Sequence, residues 1–422
     1  MRPTYGAACA RVKRARTLGS MNSTVALVLL SIAGLLATRL PPLATPRSPT
    51  LQLLLLGLVL GPVAGLLDRP ALTALSPVTA LVVGWVGARL GARWDWRMLR
   101  RVRPETWGVV AAQAVAGIGV GFLAAWLGTK FVPALAAAWT PRVPAALTLG
   151  AVAIIPGAGA MERAARAAGL APRMARSLRR VALLNAAWGA LVCAIALGWQ
   201  HPRVAGILPG WIAALVLEVV AGALVGTLFL GVSRFARERS DLGLALIAVL
   251  LFGAGLAYAA DLSPFVVCGL AVALIVNRSP HRHRVRGLLG AWARPSYELL
   301  FVLVGAALTL PTLWVLAAAP ALAALRVVAQ WSTVRSGLGY LPAAALPPIA
   351  GLASVAQGAS ALALGLGFSL ARGGGGAVLT TIAVGVVLTQ AVAPAVMRLA
   401  AAPARLTAGV PAAELSSDPD GN

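Results

Sequence analysis

An all-α polytopic membrane protein of about thirteen transmembrane helices is the fold class this sequence predicts, and three observations predict it. Apolar residues make up 59% of the 422-residue chain and charged residues 11%, with a mean hydropathy of +0.85, a composition that no water-soluble globule can bury. The apolar residues gather into successive runs of about 20, the length an α-helix needs to cross hydrocarbon. The basic residues fall in short clusters between those runs, as in the loops of a membrane protein. That clustering also excludes nucleic acid as the explanation of the net charge of +24, because it leaves no basic stripe along one face. Cys9, Cys193 and Cys268 are far apart in the chain and lack metal-ligand spacing, so neither a disulfide framework nor a structural metal is expected.

Residues 1–20 carry Arg2, Arg11, Lys13, Arg14 and Arg16 and read as a basic extension outside the transporter fold, with the native start at Met21. Span one is the apolar run 24–36, closed by Pro41-Pro42; a signal peptide is the competing reading, disfavoured because no small-residue cleavage site follows. The later spans are 50–67, 75–92, 108–127, 143–161, 177–198, 207–233, 241–260, 263–277, 295–308, 312–334, 346–366 and 377–399. Span two carries Gly61-Pro62. Trp107, Trp126, Trp139, Trp199, Trp211 and Trp314 sit near span ends, as an interfacial aromatic belt requires.

The basic clusters Arg89 to Arg103, Arg163 to Arg180, Arg234 to Arg239 and Arg278 to Arg286, with Arg398 and Arg405, each follow an odd-numbered span. Positive loops stay inside, which predicts an integral plasma (inner) membrane protein with a cytoplasmic C-terminus and an external N-terminus. An odd linker span between two sets of six makes the halves inverted repeats: residues 21–199 (spans 1–6), a linker at 200–239 (span 7), residues 240–402 (spans 8–13) and a short tail at 403–422. Spans 5 and 12 then correspond, and both are broken. Span 5 holds Pro156, Gly157 and Gly159; span 12 holds Pro347-Pro348, Gly351 and Gly358 with Ser354, Gln357 and Ser360. Paired interruptions at matching places in two halves point to a mid-membrane binding site. Hydrocarbon tolerates freed backbone groups only where protein or a water-lined cavity supplies partners.

Around that site the order of motifs resembles a known family. The run from Gly150 to Met161, then Ala167-Ala168-Gly169-Leu170, Arg173-Met174-Ala175-Arg176 and Val181 to Ala186, is similar to the monovalent cation:proton antiporters, the sodium/proton and Kef-type potassium/proton exchangers. Asp261-Leu262-Ser263-Pro264, Leu300 to Thr309 and Leu388-Thr389-Gln390 extend the resemblance to about Arg405. It implies a homodimer, with a moving core of spans 4–6 and 11–13 beside a fixed dimerisation domain. It also implies a mid-membrane carboxylate that takes a proton or a cation in turn. The family's paired acidic motif is degenerate here: it reads Asn185-Ala186, so alanine stands where the ion-carrying aspartate is expected.

The candidate ion- or substrate-binding residues are therefore Asn185, Arg326, Pro156, Gly157, Ser354 and Gln357, and Glu218 and Glu298 are the candidate substitute carboxylates. Charges inside a membrane cost about 2.5–3.5 kcal/mol on insertion scales, so each needs a role or a partner. By resemblance, Arg326 matches the family's basic residue beside the carboxylates; by its residues alone it reads equally as a cap on carbonyls freed in the broken helices. Glu218, central in span 7, reads as a structural carboxyl or an ion carrier. Glu298 reads as an interfacial acid or a counter-charge to Arg326.

His281 and His283 alternate with arginines and read as contacts to anionic lipid headgroups rather than as a metal site. The run Gly373 to Gly376 lacks the strand and helix context of a phosphate loop. The expectation is a secondary transporter, not an enzyme, without a cofactor or catalytic residue, exchanging a monovalent cation for protons. A degenerate, non-transporting or regulatory protein of the same fold is one alternative; an anion or neutral-solute transporter using Arg326 and Asn185 is the other.

Overall fold

A computed structural model describes residues 49–408, except 68, 103, 158, 160, 162–171, 200, 202–208, 236–237, 310–311, 338–354 and 373–374. The expectations for residues 1–20, span one, Ser354 and most of the 403–422 tail lie outside those residues. Every element described is helical, and spans two to thirteen each meet a helix. In chain order these are α1 (Pro49–Leu58, continued by a π turn at Val59–Val63), α2 (Arg69–Ala74), α3 (Ser76–Gly91), α4 (Trp96–Leu99), α5 (Pro104–Phe131), α6 (Pro133–Ala138), α7 (Arg142–Ala153) and α8 (Pro172–Gly198). They continue with α9 (Gly210–Val232), α10 (Arg239–Ala259), α11 (Pro264–Arg278), α12 (Arg282–Ala291), α13 (Ala293–Ala307), α14 (Leu313–Gly337), α15 (Ala359–Arg372) and α16 (Gly376–Ala408). Six of them, in α5, α8, α9, α10, α14 and α16, are long and apolar enough to cross a membrane unaided.

Helix boundaries follow local chemistry. Proline opens α11 and α6 at the first turn, where its missing N–H costs nothing. A reciprocal capping box between Glu238 and Asp241 starts α10. Pro62 inside the first hydrophobic segment widens the last turn of α1 into a π turn. The α10 to α11 turn puts Asp261 at φ 53°, a left-handed conformation that aspartate tolerates.

The helices pack as two groups. In one, a panel, α3 packs on α11 and α10, α9 on α11 and α10, and α13 on α1. Its core includes Val225, Phe229, Leu246, Leu250, Val267 and Ile275. In the other, the crossing group, α5 packs on α7 and α14, α8 on α7, and α16 on α14 and α15. Contacts of α8 with α9, and of α15 with α3 and α13, join the two. The outward face of α9 exposes Val216, Leu217, Val219, Val220 and Leu224, apolar side chains that only lipid or another protein surface can meet favourably.

Three features differ from expectation. The last helix runs on to Ala408, into the stretch read as a tail, though its side chains past residue 398 are not described. The loop carrying His281 and His283 forms a helix of its own, α12, which buries Val285 and Leu289 and leaves Arg284 exposed. Its apolar residues are four apart, one helical repeat, in a segment whose charge made it read as a loop. Short α2, α4 and α6 lie in the connectors between spans, each far too short to stand out as an apolar run.

Candidate functional site

Chain chemistry breaks α7 at a defined point. Pro156 has no N–H to offer the Val152 carbonyl and disfavours helical conformation in the residue before it, so the helix stops at Ala153. Ile154 to Gly157 continue as buried, non-helical chain. Gly157 turns its N–H away from Ala153 and donates it to the carbonyl oxygen of Ala356 in the other broken segment, at 2.7 Å. The two interrupted segments thus cross in contact, glycine on glycine. A Cβ on Gly157 would stand 2.8 Å from Gly358 backbone atoms, and a Cβ on Gly358 would meet Gly157 equally closely. No other residue type fits there without moving backbone.

The freed carbonyls are met by side chains from neighbouring helices. Arg326 on α14 donates from Nε to the Ala153 carbonyl and from Nη1 to the Val355 carbonyl, the latter at 2.8 Å. Gln330, one turn on, adds a bond to Ala153 at 3.3 Å. Gln357 Nε2 donates to the Val152 carbonyl at 2.9 Å, and Gln390 on α16 donates to the Gln357 carbonyl at 3.1 Å. Three consecutive carbonyls, of Val355, Ala356 and Gln357, are therefore satisfied by an arginine, a glycine N–H and a glutamine. A guanidinium at the carbonyl end of α7 also opposes that helix's negative dipole end.

Beside the crossing, Asn185 at mid-length in α8 is fully buried and donates from Nδ2 to Gln113 Oε1 on α5, at 3.0 Å. The pair leaves Asn185 Oδ1 and Gln113 Nε2 without a protein partner. One bare acceptor and one bare donor, both buried, are what a small polar ligand would engage. Ala186 is buried next to them and adds no charge.

Glu218 lies on α9, in the panel. It is 2% exposed; Oε1 accepts the Ser263 N–H at the start of α11 at 2.9 Å, and Oε2 has no partner. It lines an apolar cavity of about 380 Å³ between α8 and the panel, with Leu184, Ala187 and Trp188 on one wall and Gly87, Phe265 and Leu270 on the other. The linker helix α9 thus puts its carboxyl in the seam between the two helix groups. Glu298 corrects one expectation. It pairs with Arg294 at 2.8 Å, one turn away on the same helix, so the charge it balances is that of Arg294. Pro156, Gly157, Gln357 and Arg326 come together at the crossing, Asn185 is next to it on α8, and Ser354 lies outside the described residues.

This architecture matches known structures. The chain superposes on the sodium proton antiporter MjNhaP1 from Methanocaldococcus jannaschii with a TM-score of 0.64 at 13% identity, over 90% of this chain and 99% of that one. The chain shares its fold with that antiporter. A structure of the same antiporter from electron microscopy gives a TM-score of 0.54 at 14% identity, over 95% and 98% of the two chains. No family model matches the sequence. No curated protein matches it either.

Three site residues escaped sequence reasoning: Gln113, Gln330 and Gln390. Each is an isolated amide inside an apolar span, and that isolation was the available signal, since a buried amide in hydrocarbon needs a partner. Gln330 also lies four residues after Arg326, hence on the same helix face.

Proposed function

We propose that the chain is a secondary membrane transporter that exchanges a monovalent cation, sodium or potassium, for protons. The observation that carries this reading is the crossing of two interrupted helices at Gly157 and Gly358, whose freed carbonyls are held by Arg326, Gln330, Gln357 and Gln390. A structure that spends buried polar side chains on broken backbone supports a mid-membrane site. The sodium proton antiporter with the same fold supports the ion class.

With Ala186 at the expected carboxylate position, the exchanging group is assigned to Glu218. Glu218 lines an apolar cavity between the two helix groups and its buried Oε2 has no partner, so an ionised carboxylate there is costly without a counter-charge. A proton and a cation each supply that charge, and competition for one carboxylate couples their fluxes. Asn185 Oδ1 and Gln113 supply neutral ligands on the α8 side. The same reading takes a homodimer joined through the panel, a cytoplasmic C-terminus, and anionic lipid at the cytoplasmic arginine clusters.

Purified protein in liposomes, given an outward sodium or potassium gradient, is expected to acidify the lumen as protons enter in exchange for the leaving cation, and Glu218→Gln to lower that flux at least about tenfold. Flux unaltered in Glu218→Gln removes that residue from the mechanism. Absence of flux for every cation removes the antiport reading itself. Joint replacement Asn185→Asp with Ala186→Asp restores charge at the expected position and is expected to raise cation-driven proton flux above wild type. A second reading, anion or neutral-solute transport, is favoured by the guanidinium of Arg326 at the crossing. Its mark is a response to a chloride gradient that Arg326→Gln abolishes.

A further inference from the structure

A second cavity, of about 380 Å³, opens at the end of the molecule where α3 finishes, and its wall is built from three separate elements. The end of α3 and its exit contribute Arg89 and Arg93, α8 contributes Arg179, and α12 contributes Arg286; Asp95 is the carboxylate among the lining residues. Among the described residues that line it, four guanidinium groups against one carboxylate give a formal charge of +3 (4 − 1 = 3). That carboxylate is already engaged, accepting the Arg97 N–H at 3.0 Å and pairing with Arg286 at 3.3 Å.

Two of the arginines are held by backbone carbonyls. Arg89 donates from Nη1 to the Leu289 carbonyl at 2.9 Å and lies over the Tyr297 ring, 5.3 Å from its centroid. Arg286 donates from Nε to the Ala92 carbonyl at 3.0 Å. These bonds fix the planes of both guanidiniums before any ligand arrives. Buried Nε of Arg89 has no partner, a donor left over beside a concentration of positive charge. Like charges converge at a cost, and the group that offsets it is a compact anion with several acceptor oxygens. Planar guanidinium forks match phosphate in particular.

We infer that this cavity binds a phosphate group, on a lipid headgroup or free in solution, held between Arg89 and Arg179 with Arg93 and Arg286 beside it. Arg179 belongs to α8, the helix that carries Asn185, whereas Arg89 and Arg93 lie on α3 and its exit, in the panel, and Arg286 lies on α12, which packs against the panel helices α10 and α11. Bound phosphate therefore ties the helix beside the crossing to the other helix group. The inference is independent of which ion the protein moves, or whether it moves one.

The test is thermal unfolding of detergent-purified, delipidated protein in three additions at matched ionic strength: sodium phosphate, sodium chloride, and mixed micelles with phosphatidate against phosphatidylcholine. A selective rise of about 3 °C or more is expected with phosphate, with phosphatidate, or with both. Arg179→Gln, an exposed position, is expected to abolish the rise, and Arg234→Gln, outside the cavity, to keep it. Arg89→Gln is expected to act like Arg179→Gln; if it does not fold, Arg179→Gln decides alone. A rise with phosphatidate only assigns the ligand to lipid, and one with phosphate suffices for a soluble group. No selective rise, or a rise that survives in Arg179→Gln or is lost equally in Arg234→Gln, overturns the proposal.

Discussion

Two helix contacts in this molecule are built from equally apolar sequence and solve opposite problems. Along the α3 to α11 seam both helices run unbroken, so their backbone groups are satisfied within each helix and glycine is used only to bring them close. A Cβ on Gly87 would overlap the Phe265 carbonyl oxygen, one on Gly91 the Gly269 carbonyl oxygen, and one on Gly84 would meet Cys268 Sγ at 2.8 Å. At the crossing of the two broken segments glycine again permits close approach, but there the helical bonds are gone. Arg326, Gln330, Gln357 and Gln390 replace them. The difference teaches what the buried polar groups at the crossing do: they replace backbone bonds that an unbroken helix contact keeps within each helix.

That contrast has a largest expected effect at the seam. Gly87→Val is expected to destabilise by more than the roughly 1–3 kcal/mol of ordinary core overpacking, because its Cβ meets backbone instead of a side chain that can turn aside. Size-exclusion chromatography after purification should show little folded protein. A normal monodisperse yield would mean the seam is not tightly packed.

A smaller loss is expected at the crossing. Arg326→Leu leaves the Ala153 and Val355 carbonyls without their donor, at about 1–3 kcal/mol for each acceptor left unsatisfied. The melting temperature in detergent should fall, and Arg326→Lys should recover only part of it, since an ammonium cannot bridge two carbonyls as a planar fork does. Equal melting temperatures for wild type and Arg326→Leu would deny that the side chain caps the break.

The smallest effect belongs to the ion pair at the panel's end, where water competes. Burial acts to raise the Asp95 pKa, but the Arg97 N–H and the Arg286 guanidinium outweigh it and hold the carboxyl below its ordinary value. A depressed folded value contributes stability above the unfolded pKa, about 3.9, which is lost as pH falls through the folded value. With side chains 26% and 32% exposed, the contribution should be under about 1 kcal/mol. Asp95→Asn should melt slightly below wild type near neutral pH, with the gap closing in acid; a gap that widens in acid would reverse the sign.

The same division separates what was legible in the chain from what was not. Continuous apolar stretches announce membrane helices because hydrocarbon enforces length and composition locally: span 9, read at 263–277, is helix Pro264–Arg278, and span 7, read at 207–233, is Gly210–Val232. Pro156 and Gly157 announced a break for equally local reasons, a missing N–H and a missing side chain. The partners that mend the break were not legible. Arg326 meets a carbonyl 173 residues away, Asn185 an amide 72 residues away, and Glu218 an N–H 45 residues away. Glu298, which sequence alone allowed to face Arg326, instead found a nearer arginine one turn away. Sequence by itself determined where backbone crosses the membrane and where it must break, because those depend on neighbours along the chain. Only tertiary packing decided which distant donors fill the break and which seam receives the carboxyl, because hydrogen bonds are settled by distances in space of about 3 Å.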